Sequence, residues 1–144
     1  MSRDLAQQRE YRRNNGNACT TKYERTKGGK LMRIYRNMRS RVEGVQWMKA
    51  HLYAGKELLP KGDFYVWALA SPEFHRLYRE WAESSYERKL APSVDRVDSA
   101  RGYCLDNMQW VTHSENSRRG SVSQHRQRNI RGAKDKYSLA RVAA

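Results

Sequence analysis

Apolar residues recur at helical spacing in two stretches of the chain and alternate with polar ones in a third. Leu31, Ile34, Tyr35, Met38 and Val42 share one side of a helical period, which predicts a helix over 31–42 that stops near Gly44. Phe74, Leu77, Tyr78, Trp81 and Ala82 form a second stripe, behind a Ser71-Pro72-Glu73 start in which Ser caps and Pro takes the first helical position. That stripe reads as core packing, with His75 beside it on a surface or half-buried position. Between the two helices, Trp47–Tyr53 suggests a strand, Ala54-Gly55-Lys56 a turn, and Asp63 a cap for an apolar piece at Phe64–Ala70. Asp4–Arg13 suits a short helix, and residues 14–30, rich in Gly, Asn and Thr, read as a linker.

The pattern changes after residue 91. Ser93–Asp98 alternates as a strand does, a Gly-containing loop follows, and Asn107–Val111 reads as a second strand. Thr112-His113-Ser114-Glu115 fits a capping box, so a helix begins there and carries Asn116, Arg118 and Arg119. The expected fold class is α+β: a helical N-terminal part, then a ββα unit, then a basic flexible tail. The expected divisions are a basic arm and linker at 1–30, a mostly helical DNA-binding part at 31–91, the ββα unit at 92–119 and the tail at 120–144.

Charge adds direction to this layout. The 144 residues carry 29 Lys+Arg against 15 Asp+Glu, a formal charge of +14. Residues 1–41 hold 12 basic and 3 acidic side chains, 42–116 hold 9 and 11, and 117–144 hold 8 and 1. A near-neutral centre between two cationic arms suits a polyanionic partner, with nucleic acid first among them. Arg33, Arg36, Arg39 and Arg41 on the first helix, and Arg118, Arg119, Arg126 and Arg128 beyond the second strand, are the candidate phosphate contacts. A solvated surface helix usually mixes charge signs, whereas every charged residue in 31–42 is arginine; a plain amphipathic surface and a phosphate-facing one both remain open.

Several classes are excluded or disfavoured. The longest apolar run, Phe64–Ala70, is seven residues, against about 20 for a membrane span. No apolar stretch follows the N-terminal charges, so the expected location is cytoplasmic, with no membrane partner. Cys19 and Cys104 are far apart and lack zinc-ligand spacing, so both are expected as free thiols. The expected oligomeric state is a monomer.

Three polar residues in the ββα segment are oddly placed for a structural hairpin. Asp95 lies in a strand, where Asp is disfavoured; Asn107 opens the second strand; Asn116 sits one turn into the helix. In a ββα fold a strand carboxylate and a helix amide oxygen can converge, and such hard oxygen donors suit Mg²⁺ or Mn²⁺ completed by water and phosphate.

Residues 92–119, from Pro-Ser-Val-Asp-Arg-Val-Asp through Asp-Asn-Met-Gln-Trp-Val-Thr to Ser-Glu-Asn-Ser-Arg-Arg, resemble the HNH (His-Me finger) endonucleases, in particular their phage-encoded, homing-endonuclease-like branch. The likeness covers about a fifth of the chain. It implies a metal-dependent DNA endonuclease or nickase in which Asp95 and Asn116 ligate Mg²⁺ or Mn²⁺ and Asn107 orients the loop and the base. Arg96 falls where that family has its water-activating His. Arginine has no lone pair to accept a proton, so Arg96 is instead expected to hold or stabilise phosphate charge. His113, the one imidazole of the motif, is a candidate substitute base; its plainer reading is a helix-start surface residue or a phosphate contact. Two further readings stand beside the nuclease: a catalytically weak or inactive DNA-binding version of the fold, acting as a phage regulatory factor, and an RNA binder using the same arms and exposed aromatics.

Overall fold

The computed structural model describes residues 4–16 and 18–122. In chain order they form α1 (Leu5–Asn15), α2 (Ala18–Glu24), α3 (Lys27–Val42), α4 (Ala50–Tyr53), α5 (Lys61–Ala70), α6 (Pro72–Glu83), β1 (Pro92–Arg96), β2 (Met108–Thr112) and α7 (113–122). The fold is α+β and mostly helical, with one two-stranded antiparallel sheet. No helix among the described residues is long and apolar enough to cross a membrane. Arg126 and Arg128, and the tail beyond residue 122, lie outside the described residues.

The expected linker at 14–30 is instead the end of α1, all of α2 and the start of α3. Thr26 joins the last two. Its hydroxyl donates to the Tyr23 carbonyl at 2.6 Å, closing α2, and accepts from Gly29 N at 3.1 Å, capping α3. Gly29 is needed there for closeness rather than flexibility, because a Cβ would overlap the Tyr23 carbonyl. The Gly-Gly pair that suggests a linker is thus part of a helix start pressed against the preceding helix.

The expected strand at Trp47–Tyr53 is a 3₁₀ turn over Trp47–Lys49 running into α4. Trp47 and Met48 are both exposed, so no alternating face is buried. Tyr53 is the residue that packs, stacked on Tyr103 with centroids 6.0 Å apart. Helix α5 begins at Lys61, three residues before Phe64, so Asp63 lies in its first turn rather than at its cap. Helix α6 starts at Pro72 as expected, but the Ser71 side chain makes no capping bond.

The β1–β2 register pairs Ser93 with Val111, Val94 with Trp110, Asp95 with Gln109 and Arg96 with Met108. Val94, Met108 and Trp110 are buried, so one sheet face lies on α6 while Ser93, Asp95 and Gln109 point to the other. One core spans both parts of the chain: Leu31 and Met38 of α3, Phe64 of α5 and Phe74 of α6 pack with Val94, Tyr103 and Trp110. Trp110 is its hinge, stacked on Trp67 at 5.3 Å and tilted against Phe74 at 4.8 Å.

Candidate metal and nucleic-acid site

The site begins at the cap of α7. Thr112 Oγ1 accepts from Glu115 N at 3.2 Å, and His113 N donates to the Ala91 carbonyl at 2.8 Å. These bonds lay the first turns of α7 over the polar face of the sheet. Asn116 thereby meets Ser93, its Nδ2 donating to Ser93 Oγ at 2.8 Å and toward the Val94 carbonyl at 3.5 Å. A carbonyl can only accept, so the amide nitrogen faces β1 and the Asn116 Oδ1 oxygen faces away from it.

One turn further, Arg119 Nη1 reaches Asp95 Oδ2 at 3.1 Å, and Gln109 Nε2 donates to the same oxygen at 3.0 Å. Asp95 Oδ1 has no hydrogen-bond partner among the described residues. The Asp95 side chain is 18% exposed, so a small part of it meets solvent. Asp95 and Asn116 are thus placed by adjacent contacts in the groove between β1 and α7, each held from behind by a neutral partner. Ser93 and Gln109 are the two orienting residues that motif reading misses. The signal for both was present, since Ser93 is two residues from Asp95 on the same strand face and Gln109 is its cross-strand partner.

Glu115 completes a cation cluster. It accepts from Arg118 at 2.6 Å and from Arg119 Nε at 2.9 Å. The bonds from these two guanidinium groups hold its carboxyl down at about 2. Arg119 consequently bridges Glu115 and Asp95.

Arg96 lies elsewhere. As the residue after Asp95 in β1 it points to the opposite sheet face. Its Nη1 donates to the carbonyls of Leu52 (3.2 Å), Ser99 (3.0 Å) and Arg101 (2.9 Å), and its guanidinium lies 4.0 Å over the Tyr53 ring. These contacts tie the 97–103 loop to the end of α4. Its Nη1 is engaged in this clamp on the sheet face away from Asp95, so the guanidinium is not presented beside the Asp95 carboxylate.

Asn107 is 1% exposed and fully engaged. Its Oδ1 accepts from Asp98 N at 2.8 Å, and Nδ2 donates to the carbonyls of Asp98 (3.0 Å) and Gly102 (2.8 Å). It fixes the loop between the strands. Gly102 packs so tightly on Glu57 that a Cβ would overlap its backbone.

Among the described residues, His113 makes no hydrogen bond or ion pair with Asp95. Burial lowers its pKa, and the nearby charges of Arg88 and Lys30 lower it further. Its charged neighbours are therefore cations.

The arginines of α3 divide. Arg33, Arg36 and Arg39 are exposed; Arg33 lies 3.7 Å from Glu24 and Arg39 pairs with Glu43 at 2.9 Å. Arg41 turns inward, three residues after buried Met38: its Nη1 donates to the Tyr103 hydroxyl at 3.2 Å, and its buried Nε has no partner among the described residues. That placement turns part of its guanidinium toward the core rather than outward with Arg33, Arg36 and Arg39.

The donor set suits a small divalent cation in a limited way. Asp95 Oδ1 and Asn116 Oδ1 are hard oxygens, but Asp95 is the single carboxylate of the pair. No three His, Cys, Asp or Glu side chains cluster to hold a metal among the described residues. A cation here would rely on phosphate and water for its remaining positions, as Mg²⁺ commonly does. No family model matches the chain, and comparison with curated proteins and with solved structures returns no similar protein.

Proposed function

We propose that this chain is a metal-dependent DNA endonuclease or nickase of the phage HNH type, working without a side-chain general base. The observation that carries the reading is the groove between β1 and α7. There Asp95 and Asn116 are presented by adjacent contacts, with Gln109 and Ser93 behind them and Arg118 and Arg119 beside them.

Asp95 Oδ1 and Asn116 Oδ1 would hold Mg²⁺ or Mn²⁺. The cation supplies Lewis-acid stabilisation of charge developing on the phosphate oxygens. Gln109 fixes the carboxylate and Ser93 fixes the amide. Arg118 and Arg119 would exchange their Glu115 and Asp95 contacts for the phosphodiester, and Arg119 would then stabilise its added charge as water attacks. Exposed Arg33, Arg36 and Arg39 grip the backbone away from the cut. With His113 beside the positive charges of Lys30 and Arg88, no side chain among the described residues is placed to take the water's proton, which passes to bulk water, so turnover is slow; a general base contributes about 10²–10⁴-fold.

The Arg119–Asp95 pair favours a second reading, in which the unit binds DNA phosphates and does not cut. Supercoiled plasmid separates the two. The nuclease reading expects nicked circles in Mg²⁺ or Mn²⁺, lost with EDTA and in Asp95→Ala and Asn116→Ala. Tight DNA binding with no nicking in either metal overturns it in favour of the binder.

A further inference from the structure

We propose that the cleft between α2 and the end of α6 binds unpaired nucleotides of single-stranded DNA, separately from the β1–α7 groove. This site does not depend on the metal reading.

The cleft is built by a helix terminus. Helix α6 closes with Ser85 N bonded to the Ala82 carbonyl at 3.1 Å and Tyr86 N to the Trp81 carbonyl at 2.9 Å, the pairing of a Schellman motif. Such a terminus favours glycine, yet here Ser85 and Tyr86 both hold positive φ, at 60° and 62°. The strained turn sets the Tyr86 ring edge-on against Trp81, with centroids 4.9 Å apart.

Three cations lie on these rings. Arg25 covers Tyr86 at 4.6 Å, Lys27 lies 5.3 Å from the Tyr78 ring centre, and Lys30 lies 4.8 Å from that of Trp81. Tyr78 is itself fixed, its hydroxyl donating to the Arg25 carbonyl at 2.7 Å. An open cleft of about 820 Å³ lies among Tyr78, Tyr86, Lys22, Arg25 and Lys27. Among the described residues, none of Lys22, Arg25 and Lys27 is ion-paired to a carboxylate, and Lys27 Nζ bonds the His75 ring at 2.8 Å, so the rim beside the two tyrosines keeps its positive charge.

That combination matches a nucleotide. A base stacks on the preorganised Arg25–Tyr86 layer, and the flanking phosphates meet Lys22 and Lys27. The base must be unpaired, since a duplex hides base faces within its own stack. The cationic edge also continues toward α7: Lys30 lies on Trp81 and, with Arg88, is close enough to His113 to depress its basicity.

The test uses the full chain in EDTA, so that it is blind to cleavage. Binding of a fluorescent 12-nucleotide oligo-dT is compared at fixed salt with an abasic strand of equal length and charge. One stacked base is worth about 5- to 150-fold, so oligo-dT is expected to bind at least about 5-fold tighter. Tyr86→Asn, which removes the ring but tolerates the left-handed backbone, and Arg25→Gln should each collapse that preference toward unity while binding to the abasic strand persists. Equal affinity of the wild type for the two strands overturns the proposal whether or not either variant folds. So does a preference unchanged in Arg25→Gln, or equally effective competition by oligo-rU, duplex DNA or polyglutamate.

Discussion

Arg96→Ala removes three carbonyl contacts and a ring-face contact in one step. Part of the clamp is solvent-exposed, so the expected loss is about 1–3 kcal/mol, read as a lower urea midpoint. Because the side chain leaves β1 on the face away from Asp95, Arg96→His is expected to lose the same stability and gain no nicking rate. A gain would show that this position reaches the reacting water after all. Asn107→Ala leaves the Asp98 amide and two carbonyls in a buried loop without their partner, and should cost about 2–4 kcal/mol by the same urea measurement. Asp95, Asn107 and Asn116 were legible as special because each polar residue sat where a simple hairpin does not want one. The direction of Arg96 was legible as well, since strand alternation separates it from Asp95. A motif aligns letters, however, and not the faces on which they stand.

Elements were readable where one face carried a long apolar period. Helix α6 and the paired strands follow their patterns to within a residue or two, and α3 begins four residues before its first apolar position because Thr26 caps it. Helix α2 has no such period, and its position is set by Thr26 and by close packing at Gly29. The 47–53 segment misleads because exposed Trp47 and Met48 look like buried strand positions. Helix α7 offers two tests at its own scale. Thr112→Ala removes the oxygen that accepts from Glu115 N and should cost about 1 kcal/mol. His113 favours its neutral form in the fold, so below its ordinary value of about 6.5 the unfolded chain takes up protons that the folded chain resists. Stability should therefore fall as pH drops from 6.5 toward the folded value, and His113→Gln should flatten that part of the melting-temperature profile. Glu115, held at about 2, contributes in the opposite range of charge: its stabilisation is present above 4.5 and fades as pH falls toward 2.

At the scale of the molecule, charge and core are organised differently. The sequence splits into cationic ends and a neutral centre, whereas the core joins α3, α5 and α6 to both strands through Trp110 and Tyr103. A peptide of residues 92–122 should therefore lack cooperative unfolding by circular dichroism, because the buried face of its sheet has lost α6 and α5. The cationic ends predict a linear fall of log affinity for DNA with log salt, and removing Arg36 and Arg39 together should lower that slope by about 2. Whether Asp95 and Asn116 hold a divalent cation against DNA is read by Mn²⁺ electron paramagnetic resonance on the protein bound to duplex DNA. One Mn²⁺ should bind per chain, be lost in Asp95→Ala and in Asn116→Ala, and be held more tightly in Arg119→Gln, which frees Asp95 of its competing cation. Mn²⁺ that stays free in the wild-type complex, or binds equally well to both alanine variants, would contradict that assignment.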